Sequence, residues 1–481
     1  MRNFLTGLTM LLTISLAKAQ ENIAPLTVEK IMRDPKWIGT QPSNPYWSLD
    51  GKYLFFDWNP DNATSDSLYY ITPTDNVPKK AGYDLRQGIL TQQAVKYNAK
   101  RNAYVYTKNG DIFLTDVKSG KTKVITQTVD FESSPVFTNN DTRIVYSRSQ
   151  NLFAFDLGDG TTIQLTNFVR GGAAPATQAP AGAGGRGGGG FAGARQQREV
   201  AAGNQQEAAL KTEQLQLFEV LKERKKERDE SAEWTKGQPK TKSLKTIMLD
   251  DRNMLGLAIS PDGRFVTYRL AKSPTGDKNT IIPNFITESG FTTDINGRTK
   301  VGAPLTSYES FVYDTQNDTV ITVKTSEIPG IFDAPDYAKD YPSKDSIRRK
   351  APRNVNINGP FWSDNGKYAV VDIRAQDNKD RWIMLLDPAT GALSLLDRQR
   401  DEAWIAGPGI GFGFGNAGSI WINDNTIWFQ SEATGYSHLY KINVETKEKT
   451  TLTSGNYEVQ RTQLSSDKKN FFITTNAVHP G

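Results

Sequence analysis

Ile259-Ser260-Pro261-Asp262-Gly263-Arg264-Phe265-Val266 is the stretch that decides the fold. A polar turn sits between two apolar flanks, and the phrase keeps returning. Trp47-Ser48-Leu49-Asp50-Gly51-Lys52-Tyr53 and Trp362-Ser363-Asp364-Asn365-Gly366-Lys367-Tyr368 are clear copies. Weaker copies begin at Tyr97, Phe137 and Ile422, and a seventh begins at Leu464. A third apolar strand follows six of them, closing on Asp or Asn in the last five: Asp66–Ile71, Asp111–Asp116, Asn151–Asp156, Glu309–Asp314, Arg381–Asp387 and His438–Asn443. A turn such as Lys118-Ser119-Gly120-Lys121 then leads to a short fourth strand. Gly, Asn and Asp suit the positive backbone angles of tight hairpins, and β-branched runs of four to six residues suit half-buried strands.

Recurrent four-strand units of this size predict an all-β fold, a β-propeller of four-stranded antiparallel blades. The count is six complete blades plus one truncated, because only nine residues follow Phe472. Residues 26–481 form the expected propeller. An incomplete last blade would leave unpaired backbone, so marginal stability is expected of this chain alone.

Three insertions interrupt the repeat. The first, 171–232, opens with a Gly/Ala/Pro tract through Gly203, which buries almost nothing apolar and reads as disordered linker. It runs into a helix expected over Gln205 to Glu230, with Leu210, Leu217, Phe218 and Leu221 on one face. Its run Lys222 to Glu227 is a solvated charged face. The second insertion, Ser273 to Pro304, extends a hairpin of the fourth blade. The third, Glu327 to Asn358, reads as a long loop with a turn of helix near Ser346 to Arg349.

Residues 1–19 read as a signal peptide: Arg2, an apolar run from Phe4 to Leu16, then Ala17-Lys18-Ala19. A short helix is expected near Leu26 to Met32. The chain has no cysteine, so it can form neither a disulfide nor a thiolate metal site. Export without cysteine predicts a secreted or periplasmic location. Losing the signal lowers the net charge from +5 to +3. That balance offers no electrostatic case for nucleic acid or a membrane as partner.

Two histidines limit the catalytic options. His438 opens a strand and reads as structural, while His479 lies near the chain end. No Gly-x-Ser-x-Gly elbow occurs, so no catalytic residue is assigned, and no metal or cofactor is expected. The run Gly407 to Gly415 lacks a following helix and reads as a loop, not a dinucleotide site. Glu288 and Arg298 on the second insertion remain as a polar pair. One reading is a surface ion pair. The other is a substrate-binding carboxylate for a peptide's free amino terminus, with Arg298 holding it or meeting a backbone carbonyl.

These blades, the Pro283 to Gly302 hairpin and Glu432-Ala433-Thr434-Gly435-Tyr436-Ser437-His438-Leu439-Tyr440 resemble the N-terminal propeller of dipeptidyl peptidase IV-type members of the prolyl oligopeptidase family. The resemblance implies a serine peptidase whose propeller gates and positions peptide substrates. The partner it implies is a C-terminal α/β-hydrolase domain, expected after residue 481, which makes this chain a fragment of a longer reading frame. The adjacent-glutamate clamp of true dipeptidyl peptidases has no match, since no Glu-Glu pair occurs. A stand-alone, Tol-like protein-binding propeller is the alternative.

Overall fold

The computed structural model describes residues 27–32, 40–61, 63–91, 93–171, 205–237, 244–276, 278–300, 302–340, 351–411 and 419–478. The expected signal peptide, the Gly/Ala tract beyond Gly171, the turn expected near Ser346 and His479 lie outside them.

Among the described residues there are six four-stranded sheets, spanning 43–80, 95–124, 132–164, 253–322, 355–400 and 421–451. In each the strands lie side by side in chain order, with antiparallel neighbours. A seventh repeat is a two-stranded sheet, Val459–Leu464 with Phe471–Thr475. This is the expected fold class: an all-β chain of propeller blades, six of four strands and one of two. The chain divides into two compact units. The first carries blades one and two, and the second carries blades three to seven.

The repeated turn works as a small hydrogen-bonded machine. The Ser48 hydroxyl donates to Asp50 Oδ1 (2.7 Å) and accepts from the Tyr53 amide (3.0 Å). Ser363 does the same with Asn365 (2.7 Å) and Tyr368 (2.9 Å), and Ser465 with Asp467 (2.6 Å) and Asn470 (3.0 Å). Ser260 joins Asp262 and the Phe265 amide in the same way. Gly263 and Gly366 supply the left-handed corner, at φ +76° and +71°. The residue closing the third strand of blades two to six repeats the trick. Asp116, Asp156, Asp314, Asp387 and Asn443 each accept an amide two or three residues on.

Within the second unit the blades pack face against face. Phe265, Val312 and Val323 of blade four meet Val355, Ile357 and Trp382 of blade five. Blade five meets blade six through Val370, Ile383, Trp421 and Phe429. Both faces of a strand are then covered, so Ala369–Ala375 is nearly all buried, and its buried Asp372 is paired with Arg381 (2.9 Å). Removing a large side chain from such a seam costs about 2–5 kcal/mol.

The insertions hold corrections. The first is stapled at its stems by a parallel pair, Asn167–Val169 with Thr246–Met248, burying Phe168 and Ile247. Its helix runs Gln205–Gly237, seven residues past the expected end. Leu210, Leu217, Phe218 and Leu221 stay more than half exposed, so that face covers nothing. The second is the hairpin Asn279–Asn284 with Thr293–Thr299, inserted between the second and third strands of blade four as expected. The third is shorter than expected, because Val355–Trp362 already forms the first strand of blade five. Buried Ile328 and Ile331 anchor the loop. The short helix near Met32 is confirmed over Val28–Ile31. No helix among the described residues is long and apolar enough to cross a membrane.

Candidate functional site

Glu288 and Arg298 are both exposed, but they are not a pair. Register places Asn284 opposite Thr293, so Glu288 sits in the turn at the tip, where the Gly290 amide reaches the Thr287 carbonyl (3.2 Å). Arg298 lies at the other end, beside the pairing of Asn279 with Thr299. Five residues of strand separate it from Thr293, roughly 16 Å at 3.3 Å per residue. No ion pair joins the two among the described residues. The expected holding contact is therefore corrected: hairpin register sets ten residues of sequence at opposite ends. The hairpin is also apolar on its surface, with Phe285, Ile286 and Phe291 at least three-quarters exposed.

A second polar group forms where three loops converge at blade six. The Glu432 carboxylate accepts the Gly407 amide, and the Glu458 carboxylate accepts the Ser437 amide (2.6 Å). Burial, then the like charges of Glu458 and Asp401, push the Glu432 carboxyl above the usual carboxylate range. The Asp401 carboxylate in turn holds the amides of Ala403 (2.6 Å) and Trp404 (2.9 Å). Such a rim of amide-anchored carboxylates favours a cation. It is no metal centre, since no group of three or more His, Cys, Asp or Glu among the described residues could hold an ion. In the sequence Glu432 stands out only as the first residue of the Glu432–Tyr440 motif. Its partners lie 31 residues before it and 26 after it, and no local spacing could have joined them.

The glycine run is a loop, as expected, over its described part, and the next element among the described residues is the strand Trp421–Asn423. Its glycines answer to close neighbours: a Cβ on Gly407 would overlap Glu432, and one on Gly409 would overlap Gln430. His438 is structural, also as expected. Nδ1 faces the Thr453 hydroxyl (3.1 Å) and Nε2 the Gly455 carbonyl (2.9 Å). The Gly455 carbonyl can only accept, so Nε2–H is the donor to it, and in the neutral ring Nδ1 then accepts the Thr453 hydroxyl proton while the Thr453 oxygen accepts the Leu439 amide (3.0 Å).

The blades define a β-propeller with no catalytic cluster assigned to it. Residues 256–481 match the family model of the dipeptidyl peptidase IV (DPP IV) N-terminal region, and this part of the chain is a DPP IV-like N-terminal propeller region. Two solved structures are similar to it: dipeptidyl peptidase 4 of Porphyromonas gingivalis, and a Bacteroides ovatus protein assigned as a dipeptidyl aminopeptidase IV. Each is 10% identical, with TM-scores of 0.39 and 0.41, and the alignments cover 91% of this chain and 50% of theirs. The chain thus spans about half the length of the solved structures it matches. No curated protein matches the sequence.

Proposed function

We propose that this chain is the non-catalytic propeller portion of an exported serine peptidase of DPP IV type, gating and positioning peptides for a hydrolase domain in the same polypeptide. The family match over residues 256–481 carries this reading. Glu288, exposed at a hairpin tip, is the carboxylate offered to the peptide's amino terminus, and Arg298 meets a backbone carbonyl on its own. The Glu432 and Glu458 rim is a second acidic position with the same charge preference.

The test is kinetic, on the polypeptide made from the complete reading frame. Dipeptide substrates with free and acetylated amino termini are compared for the parent, Glu288→Gln and Glu432→Gln. Support is cleavage of unblocked substrates and a selective KM increase for them in Glu288→Gln. Equal effects on blocked and unblocked substrates remove the role of Glu288, and selective loss in Glu432→Gln alone moves that role to the blade-six rim. Absence of any serine-hydrolase labelling by a fluorophosphonate overturns the peptidase reading in favour of a stand-alone binding propeller.

A further inference from the structure

Arg269 lies in the second strand of blade four, Phe265–Lys272, paired with Leu255 on one side and Ser310 on the other. Its Nη1 donates across the seam to Asn356 Oδ1 (2.8 Å) and to the Ile357 carbonyl in the first strand of blade five. Its Nε is buried without a partner. Two residues back on the same face, Thr267 is 5% exposed, and its hydroxyl also lacks a partner. Both residues line one cavity of about 20 Å³, walled otherwise mostly by apolar groups that include Phe311, Val323, Val371 and Leu386, with Ser310 among them.

Buried N–H and O–H groups in folded proteins are rarely left unpaired. Two such groups facing one void point to something inside it. A void needs about 10–15 Å³ to hold one water, so this one admits a single molecule of that size. The same place in blade six shows how the seam is closed when nothing is left over. Gln430 Nε2 donates to the Val459 carbonyl (2.7 Å), and Val459 precedes Ser465 by six residues, as Ile357 precedes Ser363. There the reaching side chain is an amide, and Nε2 also finds Pro408 (3.2 Å) and Ser437 (3.2 Å). Arg269 carries five N–H donors, and blade five supplies acceptors for the two on Nη1, while Nε–H stays buried and unpaired.

We infer that one ordered water occupies the void between blades four and five, accepting from Arg269 Nε–H and hydrogen-bonded to the Thr267 hydroxyl. The water completes a polar bridge that the side chains leave unfinished. A halide is disfavoured by the size of the void and its apolar walls.

The test is crystallographic, on crystals of this chain diffracting well enough to show ordered solvent. The expected result is one solvent peak within hydrogen-bond distance of both atoms, without anomalous signal after a bromide soak, and gone in Thr267→Val. An empty void, or a protein acceptor found on Arg269 Nε, overturns the inference. A bromide peak overturns it too and makes the void an anion site. The parent crystals decide the matter if the variant does not fold.

Discussion

Gln430 in blade six and Val459 in the two-stranded seventh repeat are joined by a buried amide-to-carbonyl hydrogen bond of 2.7 Å. The two residues are 5% and 0% exposed, so this bond crosses the seam away from solvent. Gln430→Leu strands the Val459 carbonyl without its donor. The expected loss is about 2–3 kcal/mol of unfolding free energy, since an orphaned buried polar group keeps its full desolvation cost. Gly409→Ala should act on the same bond from the other side, by driving a methyl into the Gln430 amide at φ +69°. Urea denaturation checks both. A loss below about 0.5 kcal/mol in each would show the seam does not depend on this contact.

The third-strand aspartate of blade four sets a pH dependence. Arg264 grips Asp314 through Nη2 (2.7 Å) and Nε (3.2 Å), and its guanidinium holds that carboxyl down at about 2. A depressed folded pKa stabilises the fold fully above the unfolded value, near 3.9. That stabilisation disappears as pH falls toward 2. The thermal midpoint of the parent should therefore exceed that of Asp314→Asn above pH 4, and the gap should close between pH 4 and 2. A gap that is constant with pH would show that the ion pair is not its source.

Glu432 has the opposite sign. Burial and the neighbouring acids raise its folded pKa, so the ionised form is the one the fold tolerates less well at neutral pH. Glu432→Gln should raise the thermal midpoint at pH 7. The gain should fade as pH falls through the raised folded value and be gone below the unfolded carboxyl's value of about 4.3. A midpoint lowered at pH 7 would mean that the Gly407 amide bond outweighs the repulsion.

The blade-four hairpin should be separable from the fold. Asn279–Asn284 and Thr293–Thr299 bear no residue buried below a tenth of its surface, and their burial patterns are exposed or intermediate throughout. Replacing the hairpin by a short Gly-Ser turn should leave the urea midpoint within about 0.5 kcal/mol of the parent, the usual range for surface changes. A larger loss would reveal packing against blade four.

Much of the fold is legible along the chain because its punctuation is local. Ser48 meets Asp50 and Tyr53 within six residues, and Asp116 meets Ser119 within four. Even the weak copy at Asn98 caps itself, its side chain accepting the amides of Asn102 and Ala103 (3.0 Å each). The loop after Glu327 was harder, because Val355-Asn356-Ile357 is too short an apolar alternation to announce a strand without its partner. The helix that begins at Gln205 shows the converse. Its periodic apolar residues share one face, yet Leu217 and Phe218 remain more than half exposed.

The sequence by itself determined the blades, their order and their closing turns, since each turn satisfies its own backbone with side chains a few residues away. Only the tertiary structure decided which polar groups meet. Hairpin register parted Glu288 from Arg298, while the stacking of blade six on its loops brought Glu432 beside Glu458 and Asp401. The reason is range: a hydrogen-bonded turn is closed by near neighbours, whereas a contact across a seam depends on how two finished sheets are set against each other.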